Sequence, residues 1–285
     1  MSEAERAMAA LLALMARLRD PERGCPWDRA QSFSSIAPYT IEEAYEVADA
    51  IEHGDREHLR EELGDLLFQV VFHTRMAEER GWFDFAAVAD GIRDKLVRRH
   101  PHLFAGASLA AQDLVRVWEE QKAQERAASS ASAGGSESST VLQGVPRALP
   151  ALTRAAKLGR RAARVGFDWP DAPAVRAKVV EELHEVDAVI ADADRGTGAD
   201  RGADAGGAQA ARQLEGELGD LLFAIVNWSR HLDVDAETAL RGANSKFERR
   251  FAHMESLARS RGLELAQLSA AQWEQLWSEA KLNAS

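Results

Sequence analysis

Apolar residues recur along this chain at intervals of three and four, the spacing that places side chains on one face of an α-helix. The pattern runs from Ile41 to Ile51 and again, as a broader stripe, from Leu59 to Val71. The same periodicity predicts further helices over residues 86–99, 111–125, 174–190, 212–231, 236–260 and 269–281. Alternating strand patterns with hairpin turns are absent from the sequence, so it predicts an all-α fold.

The first acidic helix has a predicted beginning. Thr40 and Glu43 have the spacing of a capping box, and they follow Pro38. Proline is common where a helix starts, and a capping box satisfies the first free amides of a helix. The sequence therefore predicts that this helix begins near Thr40.

The chain contains an internal repeat. The segment Glu-Leu-Gly-Asp-Leu-Leu-Phe occurs at 62–68 and at 217–223, and each copy follows a Glu-Glu-x-x-Glu cluster, at 42–46 and 181–185. Basic and tryptophan residues recur downstream of both copies. A duplicated core would preserve only apolar spacing, whereas here the charged residues recur as well. The repeat therefore predicts two tandem modules of roughly four helices each, with a duplicated site.

Composition separates the modules. Residues 127–140 are rich in Gly, Ser and Ala, which is typical of a flexible linker. The linker divides an N-terminal domain, 1–126, from a C-terminal domain, 141–285. A second biased stretch, 191–211, is rich in Ala, Gly and Asp and is predicted to be a disordered insertion between two helices.

Charge and targeting signals narrow the classes of function. The net charge of −11 argues against nucleic-acid binding, which depends on a basic face. Cys25 is the only cysteine, so an intrachain disulfide or a cysteine zinc cluster is excluded. The N-terminus has no signal-peptide pattern, and no apolar run is long enough to span a membrane. We therefore expect a cytoplasmic protein that does not bind membranes.

Four carboxylates of the second half have the spacing of a metal site. Glu182 and Glu185 lie one helical turn apart, and Glu217 and Asp220 have the same relation on the next helix. Two helices packed side by side can bring all four to one point. Mg²⁺ requires oxygen ligands of this kind and also binds phosphates. The sequence therefore predicts that these carboxylates bind one or two Mg²⁺ ions.

Two other interpretations of the acidic residues are open at this stage. The first is a solvated acidic helix face without a ligand. The second is a di-iron carboxylate bundle, since Glu181 and His184 have the Glu-x-x-His spacing. The first half has Tyr45 where the second has His184, which argues against the di-iron interpretation.

Basic residues of the second half can complement a metal-bound triphosphate. Cations bind phosphate oxygens that the metal leaves free, and tryptophan can stack on a base. Lys178 lies one turn before Glu182, whereas the same position of the first half is Pro38, at the predicted start of the helix, and no lysine is there. The second half is therefore better equipped to bind phosphate and, if both halves form sites, is predicted to carry most of the catalytic activity. The candidate nucleotide contacts are Lys178, Glu181, Lys246, Arg250, Trp277 and Lys281.

These motifs resemble the MazG family of all-α nucleoside triphosphate pyrophosphohydrolases. The resemblance rests on Glu-Glu-x-x-Glu followed by Glu-x-x-Asp in each half. Gly-Cys-Pro-Trp-Asp at 24–28 and Arg-Arg-His-Pro-His at 98–102 resemble the tandem bacterial members in particular. The resemblance covers nearly the whole chain apart from the linker and the 191–211 insertion.

The resemblance implies Mg²⁺-dependent hydrolysis of (deoxy)nucleoside triphosphates to monophosphate and pyrophosphate by a homodimer, with Mn²⁺ as an alternative ion. It also implies a role in nucleotide-pool sanitation or control. The corresponding first-half residues would be the metal ligands Glu43, Glu46, Glu62 and Asp65, with Lys95, Arg99, Trp118 and Lys122.

The expected reaction is in-line attack of water on the α-phosphorus with pyrophosphate as the leaving group. Glu181 is a candidate to orient or deprotonate that water. An alternative from another class is a helical interaction protein of a stress-response system, with vestigial sites. The full set of acids and bases in both halves argues against this alternative.

Overall fold

A computed structural model describes residues 1–104, 140–196 and 203–283. All regular elements in these ranges are helices, which confirms the predicted all-α class. The chain divides into two compact units, Met1–Ala133 and Gly134–Ser285. None of the helices in the described ranges is both long and apolar enough to cross a membrane.

The first unit contains six described helices. They are α1 (Glu3–Leu18), α2 (Pro26–Ala30), α3 (Phe33–His53), α4 (Arg56–Glu79), α5 (Phe85–Arg99) and α6 (Pro101–Phe104). Helix α3 packs along α4, and α1 packs against α4. The core of this unit consists of Met15, Ile36, Val71, Phe72 and Met76. Because α3 and α4 pack side by side, their polar faces meet at a common edge.

Helix α3 begins earlier than the sequence predicts. Its N-cap is Ser32, which forms a capping box with Ser35, and Pro38 lies inside the helix. Thr40 lies inside the helix and so does not cap it, and its hydroxyl lies 2.9 Å from His73 Nε2. The capping box predicted at Thr40 is therefore wrong. Proline removes one helical hydrogen bond, but the Ser32 cap and the packing of α3 on α4 outweigh that loss.

The second unit contains five α-helices among its described residues. They are α7 (Ala151–Ala163), α8 (Ala172–Gly196), α9 (Ala203–His231), α10 (Ala236–Ser260) and α11 (Ala270–Asn283), with a short 3₁₀ turn at Leu265–Gln267. Helix α8 packs along α9, α7 contacts α9 and α10, and α10 packs on α11. Met254, Ala258, Leu276 and Ala280 form a core between α10 and α11.

The predicted insertion is shorter than expected. Residues 191–196 continue α8, and residues 203–211 belong to α9. The prediction of disorder is therefore wrong for these two stretches, and residues 197–202 lie outside the described residues. The predicted helix at 111–125 and linker residues 127–139 also lie outside them.

Helix α7 was not predicted from the sequence. Its two buried residues, Ala156 and Gly159, are both small. A Cβ at Gly159 would lie 2.2 Å from Asn227 Oδ1 on α9, well inside van der Waals contact. Small side chains therefore allow α7 to approach α9 closely, which fixes the helix that carries Glu217 and Asp220.

Candidate active site

Three carboxylates meet where α8 packs along α9. Glu182 on α8 and Glu217 and Asp220 on α9 each offer an oxygen within 4.8 Å of the others. Glu182 is buried, Glu217 is half-buried and Asp220 is exposed. Glu185 lies beside this group, and a hydrogen bond with Glu182 is the main cause of the raised pKa of Glu185. The structure thus brings the four predicted carboxylates of the second half together.

The first unit contains the corresponding group between α3 and α4. Oxygens of Glu43, Glu46 and Glu62 lie within 4.8 Å of one another. The pKa of Glu43 is raised, first by burial and then by the charges of Asp65 and Glu46. The pKa of Glu62 is also raised, first by burial and then by Glu46. Asp65 is therefore close enough to influence the group, although its oxygen is not one of the three that converge.

The two groups have the chemistry of a site for a hard divalent cation. Every converging donor is a carboxylate oxygen, and like charges at such short separations raise carboxyl pKa values unless a cation neutralises them. His184 is not among the converging donors, which argues further against a di-iron site. The donor set therefore fits Mg²⁺ or Mn²⁺ better than a metal that requires nitrogen or sulfur.

Lys178 lies at the edge of the second-half group. Its Nζ is 2.7 Å from Glu182 Oε1 and 2.8 Å from Glu181 Oε1. Hydrogen bonds to Glu181 and then Glu182 raise the pKa of Lys178 above its ordinary value, so the side chain is firmly protonated. The residue one turn before Glu43 is Tyr39 rather than Pro38. The sequence comparison of this position was therefore one residue out of register, but the first half still has no lysine there.

The other candidate contacts lie on α10 and α11. The guanidinium of Arg250 stands over the ring of Trp277, 5.7 Å from its centroid. Trp277 also packs against the α10–α11 core. Lys246 and Lys281 are exposed. In the first unit Lys95 and Arg99 lie on α5 and are half-buried, whereas Trp118 and Lys122 lie outside the described residues.

Sequence reasoning missed a polar anchor at the end of α9. Arg230 Nη1 donates to Asp168 Oδ2 at 2.9 Å, and His231 Nε2 lies 3.1 Å from Asp168 Oδ1. The Arg230 hydrogen bond is the largest cause that lowers the pKa of Asp168 to about 2, and His231 adds to it. The first half does not repeat this arrangement, so the internal repeat gave no signal for it.

The sequence also matches known proteins. The model of the MazG nucleotide pyrophosphohydrolase domain matches residues 31–104 and 172–254, the two segments that contain the acidic groups. The chain belongs to the MazG family. Two full-length relatives agree. The nucleoside triphosphate pyrophosphohydrolase of Escherichia coli K12 is 47% identical over 274 residues, which is 95% of each chain. The nucleoside triphosphate pyrophosphohydrolase/pyrophosphatase MazG of Thermotoga maritima is 40% identical over 281 residues, 99% of this chain and 98% of the relative.

Membership of the MazG family confirms two predictions from the sequence. The tandem arrangement is confirmed because the domain matches twice. The chain is also an enzyme, a pyrophosphohydrolase. Each matched segment contains one of the two groups of converging carboxylates.

Proposed function

We propose that this MazG-family enzyme hydrolyses nucleoside triphosphates, including deoxynucleoside triphosphates, to the monophosphate and pyrophosphate in the presence of Mg²⁺. The observation that carries the proposal is the convergence of Glu182, Glu217 and Asp220 beside Lys178. Carboxylates suit the metal, and an ammonium suits the phosphate oxygens. The names of the full-length relatives, which describe the same reaction, support the substrate class.

The site residues have separable roles in this proposal. Glu182, Glu185, Glu217 and Asp220 would hold the divalent ion. When bound, that ion neutralises phosphate charge and lowers the pKa of a coordinated water. Glu181 orients or deprotonates the water that attacks the α-phosphorus, because it lies next to Glu182 and its exposed carboxylate can reach solvent.

The basic residues neutralise the leaving group. Lys178 binds phosphate oxygens at the edge of the acidic group, and Lys246, Arg250 and Lys281 provide further positive charge on α10 and α11. The guanidinium of Arg250, aligned over the Trp277 ring, is pre-organised for a phosphate or for a base that stacks on that ring. Neutralising pyrophosphate in this way stabilises the charge that develops in the transition state.

We further propose that the enzyme is a homodimer. Helices α8 and α9 leave large apolar side chains in solvent, such as Leu183 at 47% and Leu222 at 54% relative exposure. Contiguous exposed apolar surface is typical of protein interfaces. A second copy of the chain would cover these helices close to the acidic site. We place the enzyme in nucleotide-pool sanitation or control in the cytoplasm, where such triphosphates are found.

The experiment that tests the proposed reaction is pyrophosphate release from a panel of triphosphates. Chelation of divalent ions should abolish activity, and Mg²⁺ should restore it. Glu217→Gln should lose activity while remaining folded, because it removes a metal ligand without changing side-chain size. Hydrolysis in ¹⁸O-water should label the nucleoside monophosphate if the α-phosphorus is attacked. Full activity without divalent ions, or label confined to pyrophosphate, would refute the proposal.

A paired comparison locates the turnover. Glu217→Gln/Asp220→Asn should abolish activity, whereas Glu62→Gln/Asp65→Asn should retain most of it, because only the second half has Lys178. A lost charge-assisted phosphate contact weakens binding by about 1.5–3 kcal/mol, or roughly ten- to a hundredfold. Equal loss of activity in both double variants would show that the halves are not specialised.

A further inference from the structure

The equivalent glutamates of the two halves, Glu43 and Glu182, have different hydrogen-bond partners. Glu43 Oε1 accepts from Gln69 Nε2 on α4 at 3.4 Å. Glu182 Oε1 instead lies 2.7 Å from Lys178 Nζ on its own helix. Glu43 is therefore oriented by a neutral amide, and Glu182 by a cation.

Gln69 is placed as a positioning residue rather than as a packing residue. It is only 5% exposed, and its Oε1 is buried without a hydrogen-bond partner. The equivalent residue of the second half is Ala224, which is also buried. A buried amide oxygen without a partner is unfavourable, and Ala224 shows that the corresponding helix pair of the second half packs without a glutamine. The benefit that offsets this cost is the orientation of Glu43 toward Glu46 and Glu62.

Lys178 forms ion pairs with Glu181 and Glu182, and no residue of α3 forms the equivalent pairs in the first half. Its ammonium neutralises part of the charge of Glu182 and Glu181 at 2.7 and 2.8 Å. A metal ion that binds Glu182 has to displace this contact. The equivalent residue of the first half, Tyr39, is uncharged and packs edge-on against Trp27, with ring centroids 6.5 Å apart. Metal binding to Glu43 therefore displaces no lysine.

We propose that, in the absence of nucleotide, the first-half group of Glu43, Glu46 and Glu62 binds a divalent cation. In the second-half group, the ion pair with Lys178 keeps the affinity for a divalent cation low until a triphosphate binds. The triphosphate offers Lys178 other anionic oxygens, so ion and substrate enter the second site together. The first-half ion is then a resident structural ion of the α3–α4 pair. This inference rests on the proposed function only in taking both groups as metal sites.

The test is a titration of the full-length, nucleotide-free protein with Mn²⁺. Binding is measured as the loss of the electron paramagnetic resonance signal of the free ion. His58 Nδ1 lies 3.2 Å from Glu62 Oε1, so the native protein and every variant are titrated at one pH, pH 8. We expect one tight ion per chain and a second step weaker by about ten- to a hundredfold, the value of one charge-assisted contact. Glu43→Gln/Glu46→Gln should remove the tight step, and Gln69→Ala should weaken it.

Lys178→Met should raise the Mn²⁺ affinity of the second binding step about ten- to a hundredfold. The substitution keeps the long apolar stem of the side chain and removes only the competing ammonium. Lys157→Met is the matched control, since it removes one positive charge from an exposed position on α7. Circular dichroism confirms that each variant is folded. The inference is overturned if the native protein shows two equal steps or none, if the tight step survives Glu43→Gln/Glu46→Gln, or if Lys178→Met acts no differently from Lys157→Met.

These outcomes are independent of the reaction. Metal stoichiometry is measured without substrate, so a protein that fails to release pyrophosphate can still support the inference. Conversely, an active enzyme with two equal ions per chain would contradict the inference and leave the proposed reaction intact.

Discussion

Replacing Gly159 with alanine tests how the second unit holds helix α9. An added Cβ would lie 2.2 Å from Asn227 Oδ1, more than 1 Å inside the 3.4–4 Å of ordinary contact. Asn227 is fully buried. Its Nδ2 donates to the Phe223 carbonyl at 3.0 Å, and its Oδ1 accepts from Arg230 Nε at 3.3 Å. The asparagine therefore cannot move away without losing hydrogen bonds.

Two effects of Gly159→Ala oppose each other. Alanine gains about 1 kcal/mol over glycine inside a helix. Overpacking a tight contact costs about 1–3 kcal/mol, and leaving a buried donor unpaired costs about 1–3 kcal/mol more. The contact terms exceed the propensity term, so we expect the second unit to lose roughly 2 kcal/mol of unfolding free energy.

Hydrogen exchange followed by mass spectrometry measures this effect in α7 and α9 separately from the first unit. Peptides from both helices should exchange faster, and activity should fall because α9 carries Glu217 and Asp220. Gly242→Ala is the matched control. It lies inside α10 with nothing within 4 Å of its added Cβ, so it should gain stability. Protection of α7 and α9 that is unchanged or increased in Gly159→Ala would refute the close packing described here.

Three further predictions concern charge. Because the folded-state pKa of Asp168 is about 2 against an ordinary 3.8, its contacts stabilise the protein above pH 3.8 and are lost as the pH falls toward 2. Asp168→Asn should therefore lower the melting temperature at pH 7, and a variant equally stable at that pH would contradict the ion pair with Arg230. The raised pKa values of Glu43 and Glu185 mean that the metal-free protein loses stability as the pH rises above the ordinary value of 4.5. Mg²⁺ should thus raise the melting temperature more at pH 8 than at pH 5, and an equal rise at both values would argue against these carboxylates as ligands. Arg250→Gln should raise KM about ten- to a hundredfold by removing a phosphate contact, whereas an unchanged KM would confine Arg250 to packing on Trp277.

Residue spacing was sufficient to predict the all-α class and to predict that the carboxylates of each acidic motif share one helix face. Helical periodicity depends on local geometry, so the predicted helix at 236–260 has the bounds of α10, Ala236–Ser260. For the same reason, the spacing of each Glu-x-x-Asp motif placed its two carboxylates one turn apart on a single helix, α4 or α9. Local signals were less reliable at helix ends, where Ser32 begins α3 instead of Thr40.

The tertiary structure decided which carboxylate contacts form between helices. Glu43 is contacted by Gln69, 26 residues away on the next helix, whereas the Lys178 contact of Glu182 is local to one helix and follows from residue spacing. The approach of α7 to α9 at Gly159 also depends on residues distant in sequence. Such contacts follow from the packing of whole helices against one another, which local periodicity does not determine. The sequence by itself thus predicted the acidic and basic motifs and the helical segments that carry them, while packing determined how each half holds its acidic group.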